Sequence, residues 1–379
     1  MEKDSTSSES RATLSSDNAR IKEICGRLND EAIYHWSLHS KELFHSNVLG
    51  WFCEKYPEAA FQFLQGWAPS RDTTEHWVLR EKYNLDLVVQ LPGLAPVVIE
   101  NKVFSPPDES QLDRYSEENI RKMKEFEDPT LLLLSLGSPN WDSSTYVANG
   151  GSKWRYLSYQ DLASRLGQSI QSISGFDGEV MRRYVQFITY LQELASEVSL
   201  ESDVDVVDID AESLAILKSV RLDSAFSKLR ARSATAAVRD FMKEHKSFEA
   251  IKFHAEYTRG KPLLEAFVRC ESGDELGWQL QGKQWRLAVR TSQFEGETAA
   301  LRELRYEYVR QNYQEWFDFS EIPGLIGRSV VSVPKNEKKG IFCGYAPNFV
   351  YWNRNLSDLT LGEIKKLSNH YITKAAKWE

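Results

Sequence analysis

The sequence predicts a mixed α/β domain followed by an α+β domain, and three observations lead to this fold class. The chain has 379 residues, which is enough for two or three domains. Its composition, 41% hydrophobic and 27% charged, is typical of a chain that buries a core. Helical and strand-like hydrophobic spacing alternate along the first half, and an acidic stretch separates that half from the second.

The domain boundaries follow from shifts in composition. Residues 1–20 are rich in Ser, Thr and acidic residues and poor in large apolar ones, so we expect a disordered tail. The stretch 201–211 is acidic and follows a long helical pattern, which is typical of a linker. The expected domains are therefore 21–200 and 212–379.

The first domain begins with helical spacing over Ile21–Leu64, which predicts two or three helices. Two runs rich in β-branched residues follow, Asn84–Gln90 and Pro96–Val103, and the intervening LPGLA suits a turn. These features predict an antiparallel hairpin. The remaining predicted elements are a polar helix at Gln111–Glu127, strands at Thr130–Leu136 and Trp154–Leu157, and helices at Gln160–Ile170 and Glu179–Val198.

The second domain alternates helical and strand patterns. Its many Trp and Tyr residues are typical of core or interface packing, although base stacking would use the same residues. The basic loop Pro334–Lys339 suits either an exposed hairpin tip or a phosphate contact. The predicted helices are 212–244, Thr298–Trp316 and Leu361–Ala376, and the predicted strands lie around Ile251–Tyr257, Leu264–Val268 and Trp278–Val289 and in a hairpin across Val330–Tyr345.

Composition also argues against several classes of protein. The longest aliphatic cluster, around Leu131–Leu134, is far shorter than the roughly 20 residues that span a bilayer, so we expect no membrane segment. The four cysteines form no C-x-x-C pair, which favours a reduced, cytoplasmic protein. A net charge of −8 disfavours binding of polyanions through the overall field but allows a local cationic groove.

One constellation in the hairpin carries the chemistry. Asp86 lies on its first strand, and Glu100 and Lys102 share one face of its second because strand side chains alternate. If the hairpin closes as predicted, Asp86 lies beside Glu100, and two carboxylates converge with an ammonium. The same pattern would also arise from a turn aspartate and an exposed Glu-Lys pair.

Two adjacent carboxylates raise each other's pKa, and a hard divalent cation offsets that repulsion. Oxygen donors and waters suit Mg²⁺, for which Mn²⁺ can substitute, and such an ion activates phosphodiesters. Lys102 would then orient or deprotonate the attacking water, or offset charge in the transition state.

The stretch resembles the PD-(D/E)xK nuclease superfamily, whose acid and E-x-K positions match Asp86, Glu100 and Lys102. Leu85 stands where the literal motif has proline. The segment QLDRY, with Gln111 and Tyr115 four residues apart, is similar to the Q-x-x-x-Y helix of RecB-type nucleases and of bacterial members with an IENK motif.

The resemblance implies further site residues and a restriction-endonuclease-like core, a mixed central sheet flanked by helices. In KELFHSNVLGWF, Glu42 matches a glutamate near the metal, so the resemblance implies that Glu42, Asp86 and Glu100 hold the ion, with the carbonyl of Asn101 as an additional ligand. His45 in the same segment is better explained as a structural residue than as a ligand of Mg²⁺. Gln111 and Tyr115 would line the cleft. The basic residues predicted to contact nucleic acid are Arg114, Arg121 and Lys122.

The resulting hypothesis is a Mg²⁺-dependent nuclease that acts on DNA in anti-phage defence, restriction or repair. RNA stays open as a substrate because the site reads a phosphodiester. The alternative is a catalytically inactive module of the same fold that binds nucleic acid or a protein. A symmetric homodimer is the arrangement expected of an enzyme that cuts both strands. The role of the second domain, in substrate recognition, regulation or dimerisation, stays open.

Overall fold

The computed structural model describes residues 18–38, 41–82, 84–103, 109–119, 128–139, 141, 144–245, 248–258, 261–328 and 340–378. They form two compact units. The first takes its residues from Met1–Val198 and Ala211–Phe226, and the second from Ser199–Asp210 and Ser227–Glu379. None of the helices within the described residues combines the length and the apolar character that crossing a bilayer requires.

The helices of the first unit flank a six-stranded sheet. They are α1 (18–29), α2 (Ala32–Ser37), α3 (Lys41–Lys55), α4 (Pro57–Leu64), α5 (Glu109–Arg114), α6 (Tyr159–Ser169), α7 (Gly175–Glu197) and α8 (Ala211–Ser219). Local signals set several of their starts: Pro57 is the first residue of α4, and the side chain of Ser158 accepts the Asp161 N–H at the N-terminus of α6.

The sheet of the first unit is mixed. Its strands are β1 (Trp77–Lys82), β2 (Leu85–Gln90), β3 (Val97–Lys102), β4 (Thr130–Ser135), β5 (Thr145–Val147) and β6 (Lys153–Ser158). They lie in the order β1-β2-β3-β4-β6-β5. β2 and β3 form the predicted antiparallel hairpin, whereas β4 runs parallel to β3 and to β6. The predicted α/β architecture is therefore confirmed.

Each face of this sheet has its own cover. One face buries Val98, Leu133 and Trp154 under Leu112 and Tyr115 of the segment 109–119. On the other face, α3 lies against β2 and β3, and α6 packs on α7. Strands buried on both faces explain the continuous apolar runs in β3 and β4.

The second unit is an antiparallel sheet with helices packed against it, as the α+β prediction requires. Its helices are α9 (Asp223–Met242), α10 (Ala299–Tyr313), α11 (Ile322–Ile326) and α12 (Leu361–Ala375). Its strands are β7 (Ile251–Thr258), β8 (Lys261–Arg269), β9 (Glu275–Gln281), β10 (Gln284–Arg290), β11 (Cys343–Tyr345) and β12 (Phe349–Asn355), in the order β11-β12-β10-β9-β8-β7.

Aromatic side chains form the core of the second unit. Trp278 and Trp285 stack with their ring centroids 4.7 Å apart, and Trp316 and Tyr371 pack near them from the helical side. All four are almost fully buried. Of the two uses that the sequence leaves open for the aromatic residues, these four serve core packing.

Several boundaries differ from the sequence-based expectation. Residues 18–20 are already helical, so the predicted tail 1–20 ends earlier; Arg20 holds this start through Glu23 and Glu193. Residues 201–210 of the predicted linker 201–211 instead belong to the second unit, and Ala211 begins α8. Arg230 holds this segment in place, because its guanidinium donates hydrogen bonds to the carbonyls of Ser199, Val206 and Val207.

One element prediction is wrong, and two others fall wholly or mostly outside the described residues. The predicted helix 212–244 is broken at residues 220–222 into α8 and α9, which belong mostly to different units. Most of the predicted hairpin across Val330–Tyr345 lies outside the described residues; its described end, Cys343–Tyr345, is strand β11, which pairs with β12. The basic loop Pro334–Lys339 lies outside the described residues.

Candidate active site

The register of the β2–β3 hairpin sets the geometry of the site. Leu87 pairs with Ile99, so the next position places Asp86 opposite Glu100. The Asp86 carboxylate accepts a hydrogen bond of 2.7 Å from the backbone N–H of Asn101. The structure thus brings the two predicted carboxylates together at the end of the hairpin.

Lys102 completes the cluster. Its ammonium lies 3.0 Å from Oε1 of Glu100, and the two side chains are 13% and 1% exposed. Only Oε1 is engaged in this way: Oε2 of Glu100 is buried and has no hydrogen-bond partner among the described residues. A buried carboxylate oxygen that lacks a donor costs free energy, because it has lost its water without gaining a substitute.

The electrostatics of the pair follow from burial and mutual repulsion. Burial, followed by the Asp86 charge, raises the pKa of Glu100 to about 7 despite the opposing effect of Lys102. Burial also raises the pKa of Asp86, and the Asn101 N–H only partly offsets this. Burial lowers the pKa of Lys102, but the interactions with Glu100, Glu42 and Asp86 together outweigh it, so the net change is upward. Both carboxyl groups therefore sit where a positive charge would be stabilised.

Gln111 and Tyr115 approach the same cluster from the segment that covers this face. The Gln111 amide donates to Oε1 of Glu100 at 3.3 Å and also to the Tyr115 hydroxyl. The helix changes from α to π geometry at Tyr115, over Tyr115–Asn119. π-Helical turns inside α-helices occur frequently at functional sites. The Q-x-x-x-Y pair is thus joined directly to the predicted catalytic glutamate.

The side chain of Asn101 lies on the opposite face of β3. Its side-chain amide donates to the carbonyl of Glu42 at 3.0 Å and to the Ser46 hydroxyl at 3.3 Å, both on α3. Its Oδ1 accepts a 2.6 Å hydrogen bond from the Tyr159 hydroxyl at the start of α6. Asn101 is 1% exposed. Its side chain therefore fixes two helices to the strand that carries Glu100 and Lys102, a role that the sequence did not reveal.

His45 is a structural residue. Its Nδ1 lies 3.0 Å from the Tyr184 hydroxyl, and its ring stacks on Phe187. Complete burial lowers its pKa to about 3, so the imidazole stays neutral. This agrees with its interpretation as a core histidine rather than a metal ligand.

The other residues predicted from the sequence are Glu42, expected near the metal, and three basic residues expected to contact nucleic acid. No group of three or more His, Cys, Asp and Glu side chains that could hold a metal ion occurs in the described part of the chain. Glu42 therefore does not form a three-carboxylate cluster with Asp86 and Glu100, although its charge contributes to raising the pKa of both. Arg114 is exposed, 5.8 Å from the Tyr115 ring centroid. Arg121 and Lys122 lie outside the described residues.

A comparison with protein-family models finds a match over part of the chain. Residues 70–189 match the PD-(D/E)XK nuclease superfamily. The match begins before β1, ends within α7, and contains Asp86, Glu100, Lys102, Gln111 and Tyr115. The nuclease-superfamily match implies hydrolysis of nucleic acid, and enzymes of this superfamily typically use divalent metal ions. No curated protein and no solved structure matches the chain significantly.

The side chains present fit a divalent cation. Two facing carboxyl groups with raised pKa values, one of them with an unpartnered buried oxygen, form an oxygen donor set of the kind that Mg²⁺ binds together with water.

Proposed function

We propose that the chain is a metal-dependent nuclease of the IENK branch, and that Asp86, Glu100 and the carbonyl of Asn101 hold Mg²⁺. The observation that carries this is the convergence of Asp86, Glu100 and Lys102 at the end of one hairpin inside the matched segment. Glu42 adds negative charge to the site. The bound ion would supply Lewis-acid activation of the scissile phosphodiester.

The chain's own residues would perform the other steps. Lys102 holds a proton beside Glu100 and would release its contact with that carboxylate to orient water or stabilise the phosphorane charge. Gln111 donates hydrogen bonds to both Glu100 and the Tyr115 hydroxyl. Gln111 and Tyr115 would thereby position the strand being cut next to Glu100. Arg114, Arg121 and Lys122 would contact the phosphate backbone.

The proposed substrate is DNA, in a cytoplasmic defence, restriction or repair setting, with a symmetric homodimer as the working assembly. These choices rest on the family resemblance, because a site that acts on a phosphodiester does not itself distinguish the two sugars.

Cleavage of plasmid and linear DNA tests the proposal. The wild-type chain should cut with Mg²⁺ or Mn²⁺ and stop with chelator, and Lys102→Ala should abolish cutting. Lys153→Ala is the matched control, because Lys153 is an exposed lysine of β6 with no part in the cluster. Equal activity of Lys102→Ala and Lys153→Ala would overturn the assignment.

One observation favours a second candidate, a non-catalytic module that binds nucleic acid. A third carboxylate is missing from the Asp86–Glu100 pair in the described residues. Calorimetry that shows no binding of Mn²⁺, together with DNA binding by the same chain, would favour the non-catalytic module.

A further inference from the structure

A groove in the second unit is lined by basic side chains from one face of α12. It encloses about 570 Å³ and lies between α12, α11 and the end of α9. That volume is within the range of ligand-binding clefts. The groove side chains that the argument uses are Phe241, Glu321, Lys366, His370, Lys374 and Lys377.

The balance of charge in the groove is positive. Three lysines face one carboxylate, Glu321, which lies 3.7 Å from His370. Lys374 is 4.0 Å from Asp318 and is thereby partly neutralised. Lys366 and Lys377 are exposed, and neither has a carboxylate within 4.0 Å among the described residues. Two ammonium groups are thus available to an anion, in a chain whose net charge is −8.

The basic groups form a stripe rather than a single point. Lys366, His370 and Lys374 are spaced by four residues, so they share one face of α12, and Lys377 lies just beyond Ala375, the last residue of the helix. From Lys366 to Lys374 the stripe extends about 12 Å along the helix, at about 1.5 Å per residue. A single phosphate would need only one end of it.

Phe241 adds a flat apolar surface at the wall of the groove. It belongs to the last turn of α9, is 49% exposed, and lies 5.8 Å from the Lys365 ammonium. An exposed ring beside a cationic track is the combination with which proteins bind single-stranded nucleic acid, because the ring stacks on a base while lysines follow the backbone.

We infer that this groove binds a single strand of nucleic acid through its phosphates, with Phe241 stacking on a base. The inference rests on the proposed nuclease function, because it assigns the groove to the same class of substrate. Its chemistry is independent of the metal, so binding and cleavage can be measured apart.

The test is fluorescence anisotropy with a short labelled thymidine oligonucleotide and the full chain, in chelator so that nothing is cut. The variant is Lys366→Gln with Lys377→Gln, and its control is Lys261→Gln with Lys283→Gln, which removes two exposed lysines at strand turns outside the groove. Each lysine that releases a counterion from single-stranded nucleic acid contributes about 0.7 to the slope of log K against log salt. The groove variant should lower that slope by about 1.4, and the control should leave it unchanged.

Two further variants strengthen the test. Asn369→Glu places a negative charge on an exposed groove position and should weaken binding at least tenfold, and Phe241→Ala should weaken it without changing the salt slope. Unchanged affinity and slope in the double lysine variant would refute the groove. An equal loss for a duplex of the same sequence would refute the single-strand assignment. If the wild-type chain binds the oligonucleotide but does not cleave DNA with Mg²⁺, that result would count against the nuclease proposal alone.

Discussion

Replacing Glu100 by Gln should stabilise the metal-free protein at pH 8 and change its stability little at pH 5. Glu100 is 1% exposed, and burial with the Asp86 charge raises its pKa from 4.5 to about 7. The folded state therefore favours the protonated carboxyl. Gln has the shape of that neutral form and does not titrate.

The sign and the size follow from linkage. A raised folded-state pKa means that the stability contribution is fully present below pH 4.5 and is lost as pH rises to about 7. At about 1.36 kcal/mol per pH unit, the wild-type protein loses about 2 to 3 kcal/mol between pH 5 and pH 8 relative to the Glu100→Gln variant. Lys102 stays charged over this range, because its pKa is raised.

Hydrogen exchange of the β3 amides, in chelator at both pH values, measures this difference in the first unit alone. Added Mg²⁺ at pH 8 should then stabilise the wild-type chain and not the variant, because binding to the folded state shifts the folding equilibrium. Parallel stability curves for the two proteins between pH 5 and pH 8 would refute the reasoning.

Three further predictions concern the scaffold around the two sheets. Tyr159→Phe leaves Oδ1 of the buried Asn101 without its donor and should cost about 1 to 3 kcal/mol in hydrogen exchange of β3, whereas an intact protection pattern would contradict that role. Asp274→Ala removes the carboxylate that accepts hydrogen bonds from Tyr308, Tyr313 and Ser292, so we expect the thermal midpoint of the second unit to fall by several degrees; no change in calorimetry would count against it. Gly277→Ala places a methyl group 2.1 Å from the carbonyl oxygen of Ala266 on β8, so circular dichroism should show loss of the second sheet, and a normal spectrum would be the opposing result.

The chemistry-bearing hairpin could be predicted because its signals are local. Alternation fixes which side chains share a face, and the turn between β2 and β3 fixes the register, so Asp86 meets Glu100 as expected. Gln111 and Tyr115 meet through helical spacing alone. Such rules need only a few neighbouring residues.

The parts that could not be predicted depend on distant partners. Asn101 bonds to Ser46 and Tyr159, which are 55 and 58 residues away, and no local rule pairs them. β1 was not predicted because its outer half is exposed and gives no clear alternation. An acidic stretch after a long helix is typical of a linker. Nothing in the charge pattern indicates that Arg230 donates hydrogen bonds to the carbonyls of this stretch.

Buried charges illustrate the same limit. Glu265 and Arg286 lie on one face of the second sheet and are joined through Gln279, although polar residues on a strand are ordinarily expected to face water. Arg305 is 1% exposed and donates to three backbone carbonyls, among them those of Phe294 and Gly296. Only the folded loops create those acceptors.

Crystallography of the protein with Mn²⁺ tests the central claim most directly, because anomalous scattering locates the ion independently of activity. The expected result is one peak between the carboxylates of Asp86 and Glu100, which disappears in Asp86→Asn. A saturated crystal with no peak at that pair, or an equal peak in the variant, would contradict the account.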